Sequence, residues 1–211
     1  MKKTLLAVCL MVLGLTAQTE AKGLLDGGST HVKVGLNMMN VSGDWAENTS
    51  NNIGYKVDFG FNSPISNIFY WGADVNLGSR GYKNEIEINS NNRSEFTLFS
   101  HNIGLTPHIG LNFNVIPSLS IDLNVGPFIS FDYYGKYKED VTVLGTTKNI
   151  LDKAISDIDD YNRMDYGFNV GIGVWYNQFG IQFSYQKGFN DIIKDVDATS
   201  NNMTISLGYR F

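Results

Sequence analysis

From His31 onward the chain alternates apolar residues with small or polar ones at a period of two, and it does so in eight runs. "HVKVGLNM" sets Val32, Val34, Leu36 and Met38 against Lys33, Gly35 and Asn37. "IGYKVDFGFN" sets Ile53, Tyr55, Val57, Phe59 and Phe61 against Gly54, Lys56, Asp58, Gly60 and Asn62. Further runs begin at Phe69, Asn102, Leu119, Met164, Phe179 and Met203. Successive residues of a strand face opposite sides, so each run predicts a strand with one apolar and one polar face.

The composition of the polar face decides which side looks inward. In a soluble sandwich the apolar face forms the core and charges point to water. Here the second face is mostly glycine, asparagine and serine with a few charges, which cannot fill a water-excluding core. The apolar face is therefore the outer one, and its solvent is lipid. Connection lengths agree. "SPISN", "VIPS" and "NQ" are short, whereas "SGDWAENTSNN", residues 79–97, residues 135–163 and "NDIIKDVDATSN" are long and polar. Short turns at one end and long loops at the other describe an outer-membrane barrel. The predicted fold is all-β: an eight-stranded antiparallel up-and-down transmembrane β-barrel with short periplasmic turns and long extracellular loops.

Aromatic residues gather at both ends of the apolar face. Phe59, Phe61, Phe69, Trp71, Phe113, Tyr176, Phe179, Tyr209 and Phe211 fall toward the short turns. Tyr55, Phe131, Tyr133, Tyr166, Tyr185 and Phe189 fall toward the long loops. Two interfacial girdles follow. Within the third long loop, the apolar spacing of "NILDKAISDID" predicts a short helix.

The start of the chain reads differently. Lys2 and Lys3 precede an apolar run from Thr4 to Leu15, followed by Thr19-Glu20-Ala21. This is the pattern of a secretory signal peptide spanning residues 1–21, too short to cross as a helix, which leaves residues 22–211 as the barrel domain. The one cysteine, Cys9, lies inside it, so disulfides and thiolate metal sites are excluded from the mature chain. Cleavage takes the formal charge from −5 to 14 − 20 = −6. Scattered acidity of this kind gives no footprint for nucleic acid.

The second half carries a resemblance. "IGLTPHIGLNFNVIPSLSIDLNVGPFIS", with Pro107 and Gly126-Pro127, resembles the strand–turn–strand unit of the PorT-like outer-membrane β-barrel proteins of Bacteroidota. Asp165-x-Gly167, Gly171-x-Gly173, Lys187 to Asp191 and the closing "LGYRF" are similar to the same family. The resemblance covers residues 98–211 and implies the fold, an outer-membrane location and a link to protein secretion; it transfers no functional residue.

The inward face supplies the candidate site. Lys33, Lys56, Asp58, Asp74, His108, Asp122, Asp132, Asp165 and Arg210 all point into the lumen by parity. Eight strands leave an interior that side chains fill, and charges buried there must be paired. The expectation is a plugging network of ion pairs, with His108 bonded to a carboxylate and Arg210 turned toward Asp122. Neither a cofactor nor a metal is implied, because His108 has no partner at ligand spacing. "FSHN" suggests serine–histidine chemistry, but adjacent residues face opposite sides, so Ser100 and His101 cannot bond each other.

The function expected is a non-enzymatic structural or accessory barrel of the cell envelope, its lumen plugged, with secretion as the role implied by the resemblance. A narrow pore for ions or small solutes is the alternative, and a lipid-modifying enzyme is a third. Expected partners are outer-membrane lipid and lipopolysaccharide, the barrel insertion machinery, and envelope proteins met through the loops. Trp45, Ile86, Ile88 and the Ile192-Ile193 pair are apolar residues in those loops that fit either partner contact or rim packing. Phe211 is read as the aromatic assembly signal presented to the insertion machinery. Deleting Phe211 should therefore reduce the heat-modifiable, folded fraction in the outer membrane, read by gel shift.

Overall fold

The structure, a computed structural model, describes residues 27–43, 49–89, 92–158, 160–194 and 196–211. The predicted leader, Cys9 and Trp45 lie outside them, as do the side chains of Ile86 and Ile88. Among the described residues nine strands follow in order: β1 (Ser29–Ser42), β2 (Thr49–Pro64), β3 (Phe69–Asn89), β4 (Asn92–Ile116), β5 (Leu119–Val143), β6 (Thr146–Ala154), β7 (Met164–Tyr176), β8 (Phe179–Asp191) and β9 (Thr199–Arg210). Every pairing is antiparallel between neighbours, and β4–β5 and β1–β9 contacts close a ring of eight strands that leaves out β6. A closed ring has no open edge to satisfy, which lets a sheet stand in lipid.

The parity read from the sequence holds. Val34, Leu36, Val75, Leu105, Val125, Val170, Ile172 and Leu207 are exposed on the outer wall, while Lys33, Asn37, Asp58, Asn76, Asn124 and Asn169 are buried inside. The girdles form as expected. At the short-turn rim Tyr209 lies edge-on between Phe179 and Phe211, and Phe61 meets Trp71. At the other rim Phe168 packs between Tyr185 and Phe189. This chain is an integral outer-membrane barrel, with an apolar belt between two aromatic rims.

Two features differ from the sequence reading. The segments read as long loops at 79–97 and 135–163 are largely strand. β3, β4 and β5 continue past the rim as an extension, and β5 turns back at Leu144-Gly145 into β6. Both turn residues have positive φ (50° and 78°), the left-handed pair that a two-residue hairpin needs. The helix expected in "NILDKAISDID" is β6 followed by a single 3₁₀ turn at Ile155–Asp157. Pairing along the free edge of β5 outweighs a weak helical periodicity, because each paired residue gains ladder hydrogen bonds without a nucleation cost.

The second difference is an apolar core inside the upper barrel, where only polar filling was expected. Met39, Val41, Tyr82, Leu98, Ile155, Tyr161, Ile192 and Ala198 are buried together, with Tyr137, Ile158, Ile193 and Val196 packed against them. The polar alternation gives way to inward Met39 and Val41 just beyond the point where the first run ended. Ile192 and Ile193 are thus accounted for as packing residues. The extension and the 3₁₀ turn roof the ring from above.

Lipid as solvent makes the outer wall intolerant of charge. Val170→Arg, near the middle of β7, is expected to cost about 2–4 kcal/mol, measured by urea titration of folding into lipid vesicles.

Candidate functional site

The lumen side chains gather in two clusters joined by an asparagine-lined middle. In the lower one, Lys33 Nζ donates to Asp74 Oδ2 at 2.8 Å, and His31 Nε2 lies 2.7 Å from Asp74 Oδ1. These residues stand on β1 and β3, with β2 between them. The reach is possible because Gly60 occupies the intervening position: a Cβ there would stand 1.9 Å from Asp74 Oδ1. Glycine in a strand here marks a close approach of neighbours.

Asp122, on β5, accepts from Tyr70 Oη at 2.8 Å and Asn124 Nδ2 at 3.2 Å, with Asn112 Nδ2 at 3.4 Å. Arg210 reaches the same carboxylate only at 3.9 Å, and its guanidinium lies 4.1 Å above the Trp175 ring. Arg210 thus faces Asp122 at long range, with the indole face as an added partner. Trp175 fits inside because Gly180 leaves room; a Cβ there would stand 2.4 Å from the indole. Lys56 and Asp58, neighbours on the inner face of β2, form a looser pair at 3.4 Å. His108 differs from expectation. Its Nδ1 bonds the Thr106 carbonyl and its Nε2 the Asn62 side chain, each at 3.1 Å, so its partners are amides rather than a carboxylate.

The upper cluster is built on Arg80. Its Nε and Nη2 donate to the two oxygens of Asp132 at 3.1 and 3.0 Å, and its Nη1 donates to Asp165 Oδ2. Arg80 and Asp132 are 5% and 0% exposed, so neither charge has water to fall back on. Ser200 Oγ donates to Asp165 at 2.6 Å, and Tyr161 Oη donates to Asp132 Oδ2. Burial, and then the neighbouring Asp132 carboxylate, raise the Tyr161 pKa, which keeps that phenol a donor. One guanidinium fork thus ties β3, β5 and β7 together, with the roof attached through Tyr161.

Arg80 is absent from the sequence-predicted network because the alternation of the third run is read only as far as Gly78. The same parity that put Asp74 and Asn76 inside puts Arg80 inside, so carrying the alternation two residues further finds it. His31 and Trp175 also face the lumen, and both have the inward parity of their strands. Tyr161 has no such signal, because it sits on an irregular segment.

The remaining candidates are not brought together. Ser100 is fully buried on the inner side, whereas His101 stands outside, 3.0 Å from Tyr55 Oη and among the rings of Phe99, Tyr133 and Tyr134. Phe211 lies at the lower rim, half exposed, its amide donating to Thr30 O at 2.8 Å. Among the described residues, small cavities beside Lys56 and Arg80, beside Tyr161, and beside Trp175 each leave room for about one water. The side chains around these cavities tie the strands of the wall to one another.

The family model for the outer membrane protein beta-barrel domain matches residues 17–194. Among solved structures, Ail, the attachment invasion locus protein of Yersinia pestis, is similar at 15% identity and a TM-score of 0.38, covering 87% of this chain and 99% of Ail. Neisserial surface protein A is similar at 15% identity and a TM-score of 0.45, covering 88% of this chain and 99% of that one. The N-terminal β-barrel domain of Pseudomonas aeruginosa OprF is similar at 10% identity and a TM-score of 0.35, covering 87% and 99%. No curated protein matches the chain.

The Arg80 fork carries a direct test. Arg80→Leu strands two buried carboxylates and is expected to cost about 3–5 kcal/mol in urea unfolding from detergent micelles. Adding Asp132→Asn and Asp165→Asn to the same chain should recover part of that loss.

Proposed function

This chain belongs to the outer membrane protein beta-barrel domain family, and on that premise we propose that it serves the cell envelope as a non-enzymatic accessory barrel. The ring anchors the chain in the membrane, and the β3–β6 extension with its roof presents a surface to other envelope components. The observation that supports this reading is the filled interior. Arg80 with its two aspartates, and the apolar core above them, occupy the section through which a solute would have to pass.

Within the family we place the chain near the PorT-like members, on Pro107, Gly126-Pro127 and the Lys187–Asp191 stretch. Secretion across the outer membrane is the process that this placement suggests. The partners proposed with it are lipopolysaccharide and other outer-membrane lipid, the insertion machinery through Phe211, and envelope proteins docking on the extension.

Planar-bilayer recording of the refolded protein separates anchor from pore. The expected trace is closed, and it should stay closed in Asp58→Ala and Asp74→Ala; steady single-channel steps in the wild type would favour the narrow-pore alternative. Photo-crosslinking from an exposed position on β6, such as Ile150, should capture an envelope protein in intact cells. Loss of a secreted protein from the medium on deletion of the gene would add the secretion role.

A further inference from the structure

Most cations inside the barrel are matched by a carboxylate, but Arg163 stands elsewhere. It lies where β5 leaves β7 below and takes up β6 above, a fork that ends one ladder before the next begins. Its Nε donates to the Asp132 carbonyl at 3.0 Å and its Nη2 reaches the Tyr133 carbonyl at 3.4 Å. These bonds hold the guanidinium against the outer wall, 4.8 Å over the ring of lipid-facing Phe131. Among the described residues no carboxylate pairs with it. A fixed positive charge at the upper aromatic girdle therefore meets the outer leaflet without a counter-ion among the described residues.

The surroundings suit an anion carried on a lipid. Tyr133, Tyr134 and Tyr166 are each about half exposed on the same stretch of wall. His101 stacks beside Tyr133 and Tyr134 with centroid distances of 6.2 and 5.9 Å, so Tyr133 meets the imidazole with its ring and the guanidinium with its backbone carbonyl. Phenol and imidazole groups can donate at head-group depth while their rings stay among acyl chains. Guanidinium is the side chain best matched to a phosphate, and its charge counts for more at the edge of a low-dielectric layer than in water.

We propose that Arg163, with Tyr133 and His101 beside it, forms a binding site on the outer wall for the phosphate of an outer-leaflet glycolipid. Arg163 supplies the charge and the free edge of its fork, and the aromatic residues seat the sugar and upper acyl chains. This rests on the proposed reading of the chain as an envelope barrel that meets lipopolysaccharide, and deepens it by giving that lipid one site, on the wall rather than the extension.

Native mass spectrometry of the full-length protein, released from detergent with added lipid, provides the test. The probes are bis-phosphorylated lipid A, the same lipid chemically dephosphorylated, and inorganic pyrophosphate. Lipid A should bind at least about tenfold more tightly than either other probe, the scale of one charge-assisted phosphate contact. Arg163→Gln should abolish that preference, Arg163→Lys should retain part of it, and Lys148→Gln on β6 should leave it intact. Folding of each variant is checked by heat-modifiable mobility; if Arg163→Gln fails to fold, the Arg163→Lys comparison decides. Equal binding of dephosphorylated lipid, or wild-type binding by a folded Arg163→Gln, would overturn the site. Pyrophosphate binding as tightly as lipid A would overturn the lipid as its source.

Discussion

A carboxylate sealed inside a ring of eight strands costs several kcal/mol unless a cation stands beside it, because lipid surrounds the wall and little water remains within. Asp132 and Asp165 sit on strands β5 and β7 at nearly full burial, and Arg80 answers both from β3. That requirement fixes much else. It holds three strands at a set spacing across the lumen, it recruits Tyr161 and so seats the roof, and it fills that section of the lumen. At the lower end Asp74 imposes the same demand on Lys33 and His31, and glycine at position 60 is the condition for meeting it.

The two ends of the lumen satisfy this demand with different materials. Near the short turns the filling is charged and aromatic, with Tyr70 and Trp175 lying across the mouth and Arg210 stacked on the indole. Near the long connections charge gives way to methionine, leucine and isoleucine under the 3₁₀ turn. The upper core resembles that of a small soluble domain fused to the membrane ring, and it exists because strands β3 to β6 continue beyond the bilayer. Water surrounds the extension, so its apolar residues turn inward again, reversing the rule that governs the wall below.

Much of this was legible in the sequence, since a period of two is hard to mistake once the solvent is known. Lys33, Asp58, Asp74, Asp122, Asp132 and Asp165 were placed inside by parity alone, and the structure finds them there. What parity could not give was where a strand stops. The alternation through Gly78 continues to Arg80, Tyr82 and Asn84, but its outer positions turn polar once the strand leaves the lipid, so the run looked like a loop. The same loss of contrast hid β6. His108 shows a further limit: parity gives a direction, and only packing decides between a carboxylate and an amide as partner.

The seam between β1 and β9 has a consequence for how the molecule is made. His31 pairs with Arg210 and Ser42 with Thr199, so almost the whole described chain lies between the two halves of each pair. Neighbouring hairpins can zip locally, whereas these contacts repay their entropy only after every intervening strand is in place. Ring closure is thus the high-contact-order event of folding, and until it occurs two long strand edges lie bare in lipid. The β1–β9 seam, rather than any neighbouring hairpin, therefore carries the longest loop closure in the ring.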